Sequence, residues 1–426
     1  MPASDVQPGD WNGLVIRPKG PEAGASQLTH CHVSGAAVGI TLKSHAEADH
    51  KVVDCRVVNC GHAGILVDGV SRTLLKGNHV SGCGSAAGTI CGGIVLNESR
   101  YALVQGNSIT DCRRFGIVVN RGELNRIKRN TVRGISGKPR SIEGMGICVE
   151  NASNRNLVLS NHVTGCNYSG IVIYSRDNQV IDNDVGNSPD GIGLAGRHCR
   201  GNIVRDNRIT RGWWSTLYVT STARDNVFYN NVVHGGDGGI TTRAAGPNIW
   251  ENCHFYNHNS KGQIALLGTG IATFRRCTLK TNGPHHLSLE YGSHARVIDC
   301  NFDKRRVVFG KGTGEHNFVE WLHTVAVNVV DAKSGQPVDE AVVRIESEKD
   351  PERHRSANTT RRGRAECEVL ETVIRKSGFH DVTPHQVVVT AKGFRPGKLS
   401  GIEVRRRLNL TVRLHPIADE RTSSRR

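Results

Sequence analysis

Residues 107–132 read NSITDCRRFGIVVNRGELNRIKRNTV. Asn107 and Asn130 each have an apolar residue two places later, Ile109 and Val132. Between them, Gly116-Ile117-Val118-Val119-Asn120 begins small and continues apolar. Both marks recur along the chain. An Asn or Cys stands at Cys31, Cys55, Asn78, Asn107, Asn130, Asn161, Asn183, Asn207, Asn231, Cys253, Cys277 and Cys300, with gaps of 22 to 31 residues. Its apolar follower is Val33, Val57, Val80, Val163, Val185, Ile209, Val233, Phe255, Leu279 or Phe302 at the other ten positions. A period of this length denotes stacked copies of one supersecondary unit.

The glycine mark keeps step, at Gly39-Ile40, Gly64-Ile65, Gly93-Ile94, Gly146-Ile147, Gly170-Ile171, Gly191-Ile192 and Gly239-Ile240. Each such segment reads as a strand, whose side chains alternate inside and outside. A short strand follows each Asn/Cys turn, and a third fits between, as in Leu157-Val158-Leu159. Three strands per coil, stacked in parallel, predict an all-β fold: a right-handed parallel β-helix of about 12 coils, one per ladder position. The tight turn leaves buried backbone groups that need partners. An inward Asn amide satisfies them and reaches the Asn of the next coil. Cys, small and tolerant of burial, replaces Asn in two coils at the front and three at the back.

With this ladder, the Gly-Ile strands and the opening Gly9-Asp10-Trp11-Asn12-Gly13-Leu14-Val15, the chain resembles the pectate-lyase-like superfamily over roughly residues 10 to 305. The resemblance implies fold more than activity, because this fold carries lyases, hydrolases, epimerases, phage tailspikes and inert surface proteins.

The chain has 426 residues, 37% hydrophobic and 5% aromatic, with 49 Gly. That suits a narrow solenoid. No apolar stretch is long enough to cross a membrane. No signal peptide opens the sequence, so the expected location is cytoplasmic, or exported from a longer precursor. Five of the thirteen Cys sit on the ladder, and Cys60, Cys112 and Cys166 share another register. Repeating positions read as stacked buried thiols rather than disulfides.

The solenoid is expected over 1–305, with a polar, basic linker over 306–321. Beyond it the period is gone. Val325–Val330, Val342–Ile345, Val387–Thr390, Ile402–Val404 and Leu408–Val412 read as strands of a small β-sandwich over 322–415, before a disordered tail at 416–426. Val329-Val330-Asp331, Gly335-Gln336-Pro337-Val338 and Ala391-Lys392-Gly393-Phe394 make this part similar to the carboxypeptidase regulatory-like domain, an accessory module without catalytic residues of its own.

The net charge is +16. A basic balance favours polyanionic partners. Acidic polysaccharides or oligosaccharides suit this fold; scattered aromatics argue against nucleic acid.

Spacing between rungs locates a site. From a ladder residue to the next Gly-Ile strand the count is usually 9 to 11, but Asn78 to Ile94 is 16 and Asn130 to Ile147 is 17. Two insertions, Gly82–Gly88 and Gly137–Glu143, thus enter the same arc and are expected to flank a groove. The outward residues there are Asp68, Asn97, Asn120, Glu150 and Tyr174, with Arg114, Lys138, Arg140, Glu143 and Arg176 on the rim. An exposed sheet face is polar in any case, so the stripe alone is not a site.

Two chemistries fit. A polysaccharide lyase needs a cation beside the uronate carboxylate and a base for the C5 proton. Lys138, Arg140 or Arg176 supplies the first or second role, and Tyr174 a proton donor. A glycoside hydrolase needs two carboxylates about 5–10 Å apart, which Glu143 and Glu150 offer. Glu150 with Asn97, Asn120 or Asp68 offers oxygen ligands of the kind Ca²⁺ takes, with Asp68 and Glu150 as the metal ligands. A second cluster holds Asp190, Arg197, His198, Trp213 and Trp214, the paired Trp suited to stacking on sugar rings. The polygalacturonase, pectate lyase and alginate epimerase signatures are missing. β-Elimination on an acidic polysaccharide is therefore the leading expectation, with Glu150 and Tyr174 at the centre. A non-catalytic binding or surface protein, a hydrolase and a phage-type spike remain open.

Overall fold

The computed structural model describes residues 7–17, 25–43, 49–86, 91–137, 143–212, 214–235, 239–256, 264–281, 283–310 and 316–417. It divides into two compact units. The first takes in Met1–Ala272, Cys277–Tyr291 and Phe302–Gly310; the second Thr273–Arg276, Gly292–Asn301 and Lys311–Arg426.

Unit one is an all-β parallel solenoid of about eleven turns, the strand count of its third sheet. Among the described residues its first sheet has thirteen strands, from Leu14–Ile16 through Ala63–Asp68, Gly92–Asn97, Phe115–Asn120 and Met145–Glu150 to Val307–Phe309. The second sheet stacks three-residue strands such as Leu103–Gln105 and Arg126–Lys128, and the third stacks Ser108–Thr110 on Thr131–Arg133. Val307–Phe309 pair in parallel with Leu287–Leu289, so part of the stretch read as a linker is regular strand. No helix among the described residues is long and apolar enough to cross a membrane.

The two sequence marks touch each other. A Cβ on Gly64 would stand 2.3 Å from Val80 Cγ1, one on Gly116 2.4 Å from Val132 Cγ1, and one on Gly146 2.3 Å from Val163 Cγ1. Each of these valines is the apolar follower of a ladder residue. Glycine opens the strand because the interior leaves no room for a methyl group there.

The ladder is built as expected. Nδ2 of Asn161 donates to the Ile127 carbonyl (2.9 Å) and to Oδ1 of Asn183 (3.0 Å). Its Oδ1 accepts from the backbone N–H (3.0 Å) and Nδ2 (2.9 Å) of Asn130. A second ladder, absent from the sequence reading, runs five residues upstream through Asn125, Asn156, Asn178, Asn202, Asn226 and Asn248. The thirteen Cys are free thiols. Burial pushes Cys166 up to about 12, and the Cys112 thiol together with burial does the same for Cys83. These thiols stay protonated and are packing material.

In unit two, Phe318–Asp331 pairs antiparallel with Arg364–Arg375 and in parallel with Leu408–Leu414. A second sheet orders His354–Asn358, Val342–Ser347, His385–Thr390 and Gly397–Ile402. Val325, Val327, Val343, Ile345, Val369, Val387 and Val412 share one core between the sheets.

A buried ionic group lies at one end of that unit. Nε2 of His323 is 2.9 Å from Glu371 Oε2, and Nδ1 is 3.7 Å from Asp299 Oδ1. Burial opposes the imidazolium, but bonds to Asp299 and Glu371 outweigh it and hold His323 above its usual 6.5. Burial likewise opposes the Asp299 carboxylate, yet His323 and Thr324 hold it below 3.8. A raised His stabilises fully below 6.5 and loses this as pH rises through its folded value. A depressed Asp stabilises above 3.8 and loses this as pH falls through its folded value. The group is therefore strongest between about 3.8 and 6.5. Buried His385, lowered by desolvation, acts in the opposite sense, so the test is a difference. The stability gap between wild type and His323→Gln, from urea unfolding, is expected to shrink as pH rises above 6.5. A gap constant from pH 5 to 9 would remove the ion pairs as its cause.

Candidate functional site

Alternation along the first sheet sends Lys43, Asp68, Asn97, Asn120 and Glu150 outward in one register. Tyr174 continues the column, its backbone N–H donating to the Val149 carbonyl at 2.8 Å. Two places earlier the outward residues are Val95, Val118, Cys148 and Val172. With Phe115 and Met145 they form a buried apolar cluster on the outside of the sheet. The expected polar face is thus apolar in the middle coils, with a polar column along its edge.

A cleft of about 450 Å³ opens at this edge. It brings together six of the expected residues: Arg114, Glu143, Glu150, Tyr174, Arg197 and His198. Phe115 and Met145 supply an apolar wall, and Asn151, Ala152 and Gly196 a rim. The rim is where strands end. Asn151 (φ 52°), Ala152 (φ 61°) and Gly196 (φ 91°) take left-handed backbone that turns the chain out of the sheet, and Arg114 (φ 68°) takes it just before Phe115–Asn120 begins.

Charges in the cleft are arranged unequally. Nη2 of Arg114 is 3.1 Å from Glu143 Oε1, so that carboxylate is ion-paired. Arg114 Nε is buried and has no hydrogen-bond partner among the described residues. Burial raises the Glu150 carboxyl, against a weaker pull downward from the Cys148 thiol and Arg114. Burial pushes the Tyr174 phenol well up, with Cys148 and Tyr168 adding to it. Nε of Arg197 donates to Nε2 of His198 at 3.0 Å, which leaves that imidazole nitrogen an acceptor.

The other expected residues lie elsewhere. Asn97 and Asn120 belong to the outer column, Asn120 only 3% exposed. Asp68 pairs with Lys43 at 3.2 Å. Asp68 and Glu150 are three coils apart, about 14 Å at the spacing of parallel strands, too far to share one ion. Among the described residues no group of three or more His, Cys, Asp or Glu could hold a metal. Arg176 is half-exposed beside Asp177 at 3.8 Å and does not line the cleft. Asp190 sits further along the sheet, pushed up to about 7 by burial against one bond from the Ser215 N–H. Trp214, 61% exposed, meets Tyr168 edge-on at 6.3 Å. Lys138, Arg140 and Trp213 lie outside the described residues. Asn151 went unrecognised in the sequence. Its signal is its place immediately after Glu150, at the turn that ends an outward-facing strand.

A family model described as "Right handed beta helix region" matches residues 21–185 and 190–320. No curated protein matches the sequence. Among solved structures the chain is similar to the catalytic domain of a GH87 α-1,3-glucanase in complex with tetrasaccharides. That pair is 12% identical, with a TM-score of 0.51, covering 72% of this chain and 62% of the other. It is similar to a periplasmic alginate epimerase (12% identity, TM-score 0.47, 72% and 75% coverage). It is also similar to the tailspike protein of E. coli bacteriophage HK620 in complex with a pentasaccharide (11%, 0.48, 88% and 86%). At these identities the likeness is one of fold.

Proposed function

The chain belongs to the right-handed β-helix family, and from that premise we propose that its cleft binds a saccharide and cleaves a glycosidic bond by acid catalysis. One observation carries this. Glu143 and Glu150 line the same cleft, and their surroundings differ: Arg114 pairs with Glu143, while burial holds the proton on Glu150 to higher pH. Two carboxyl groups in surroundings this different divide into an acid and a base or nucleophile. Glu150 is the acid that protonates the leaving oxygen. Glu143 is its carboxylate partner, held in an ion pair by Arg114. Phe115 and Met145 give a sugar ring an apolar face. The fold holds tetrasaccharides in the similar α-1,3-glucanase domain, so saccharides are the ligand class to test first.

A second reading, β-elimination on an acidic polysaccharide, draws on the net charge of +16 and on Arg197 in the cleft. Arg197 turns from His198 to neutralise a uronate there, which frees the lone pair of His198 Nε2 to take the C5 proton, and Tyr174 protonates the leaving oxygen. No step is routed through Ca²⁺, since Asp68 and Glu150 do not meet. Unit two is proposed as a carboxypeptidase regulatory-like β-sandwich serving as an accessory module.

One assay separates the readings. The protein is incubated with neutral glucans, polyuronates and glycosaminoglycans, with and without Ca²⁺, while reducing ends and the ultraviolet absorbance of unsaturated products are followed. Reducing ends without absorbance are expected. Absorbance on polyuronates would move the assignment to elimination, and binding without products to a non-catalytic saccharide receptor.

A further inference from the structure

The outer polar column is a directed chain of hydrogen bonds, and it ends in the cleft. Nζ of Lys43 lies 3.2 Å from Asp68 Oδ2. Nδ2 of Asn97 donates to Asp68 Oδ1 at 2.7 Å. Nδ2 of Asn120 donates to Asn97 Oδ1 at 2.6 Å, and Nδ2 of Asn151 to Asn120 Oδ1 at 2.7 Å. An amide alone can face either way. An ionised carboxylate only accepts, so Asp68 fixes the first amide, and each amide fixes the next. The direction arrives at Asn151 with Nδ2 turned inward to the column. Its Oδ1, with no partner among the described residues, is left as an acceptor at the rim of the cleft that Glu150, Arg114 and Tyr174 also line.

The polarity has a chemical consequence. An amide that donates toward a carboxylate gains electron density on its own carbonyl, and such chains reinforce themselves. Asn151 therefore presents a strengthened acceptor, and its amide cannot flip to put the nitrogen in that place without breaking the chain. Such a group takes a hydroxyl or an amide N–H and repels a carboxylate. We propose that Asn151 is a specificity-determining residue of the cleft, held by an amide relay grounded at Asp68 about 14 Å away, and that it selects a saccharide bearing a hydrogen-bond donor at that position over one bearing a carboxylate. The selectivity rests on the saccharide reading above; the relay does not.

The relay is tested without ligand, through the side-chain amide signals of Asn151 in nitrogen-labelled protein. Asp68→Asn and Asn120→Leu, which interrupt the column at different rungs, are each expected to shift those signals and speed their hydrogen exchange. Signals unmoved by both, in folded protein, would overturn the relay. Selectivity is tested by calorimetry with cellohexaose (hydroxyl donors), chitohexaose (acetamido N–H donors) and hexagalacturonate (carboxylates). Asn151→Ala is expected to weaken the donor-bearing probe that binds best roughly tenfold, the scale of one good hydrogen bond, and not to weaken hexagalacturonate. Asp68→Asn is expected to act in the same direction, and to add nothing once Asn151 is Ala. Equal losses from Asp68→Asn in both backgrounds would mean the column acts through something other than Asn151. If no probe binds while the amide signals respond as expected, the saccharide reading falls, and the selectivity with it, while the relay stands.

Discussion

Asn161→Ala is expected to cost unit one about 2–4 kcal/mol of stability: roughly 1–3 kcal/mol from a buried backbone N–H left unpaired, and about 1 kcal/mol from one of two hydrogen bonds lost at a buried carbonyl. The two are identified by the geometry. Oδ1 of Asn161 is the acceptor for the Asn130 N–H, and Nδ2 is a donor to the Ile127 carbonyl, which stays paired in the parallel ladder of Arg126–Lys128 with Leu157–Leu159. Asn130 and Ile127 are themselves buried. The Asn130 amide group retains a bond to the Val104 carbonyl (3.0 Å), and the Asn161 N–H retains Asn183 Oδ1 (2.9 Å), so these are not lost. Cys253→Ala, at an end of the same ladder, should cost less than about 2 kcal/mol. Its thiol makes long contacts, 3.5 Å to the Glu251 carbonyl, 3.6 Å to that of Phe228 and 3.8 Å from Asn231 Nδ2, and sulfur hydrogen bonds are weak. Urea unfolding compares the two variants, and hydrogen exchange at the Asn130 amide reads the lost bond directly. An Asn161→Ala loss no larger than that of Cys253→Ala would show that the amides only fill space.

The same comparison explains what the sequence disclosed. The Asn130 ladder was legible because its mark, Asn followed two places later by an apolar residue, repeats along nearly the whole solenoid. The upstream ladder carries the same mark: Asn125 with Ile127, Asn156 with Val158, Asn178 with Val180, Asn202 with Val204, Asn226 with Phe228, and Asn248 with Trp250. It was missed because its earlier rungs hold His50, Thr73 and Ala102 instead, all buried, so the period is broken at the front. Register survived this omission, because the glycine strands and the remaining ladder fix each coil independently.

The site was legible only in part, for a related reason. Strict alternation assigned Asn120, Glu150 and Tyr174 to the outside, and the pairing of strands agrees. Alternation also makes the outer face polar, which fails at Val118 and Cys148. Ile117-Val118-Val119 is apolar at three successive positions, and a run of that kind belongs to a strand buried on both faces. Reading it so would have replaced a polar groove by an apolar wall with charged residues at its edge. What spacing does not carry is pairing between side chains. Asp68 reads as a free ligand until Lys43 and Asn97 are seen to occupy it, and Arg176 reads as a rim cation until it is found away from the cleft.

Glu150→Gln is expected to lower turnover about 10²–10⁴-fold, the contribution of a positioned general acid, with little change in ground-state binding. The amide keeps the shape of the carboxyl and removes only its transferable proton. The pH profile distinguishes this role from a structural one. A general acid must be protonated, so activity is lost on the alkaline side as pH rises through the Glu150 value, which burial has raised above 4.5. Arg114 opposes that rise. Arg114→Met should therefore move the alkaline limb to higher pH while leaving Glu143 without its ion-pair partner. If Arg114→Met moved that limb to lower pH, the acid would be another group. Activated leaving groups need less protonation, so Glu150→Gln should lose far less on an aryl glycoside than on an oligosaccharide with the same non-reducing sugar. Equal losses on both substrates would place the role of Glu150 in holding the cleft together. Turnover equal to wild type on the oligosaccharide would end its candidacy, and Tyr174 with His198 would then be the pair to examine.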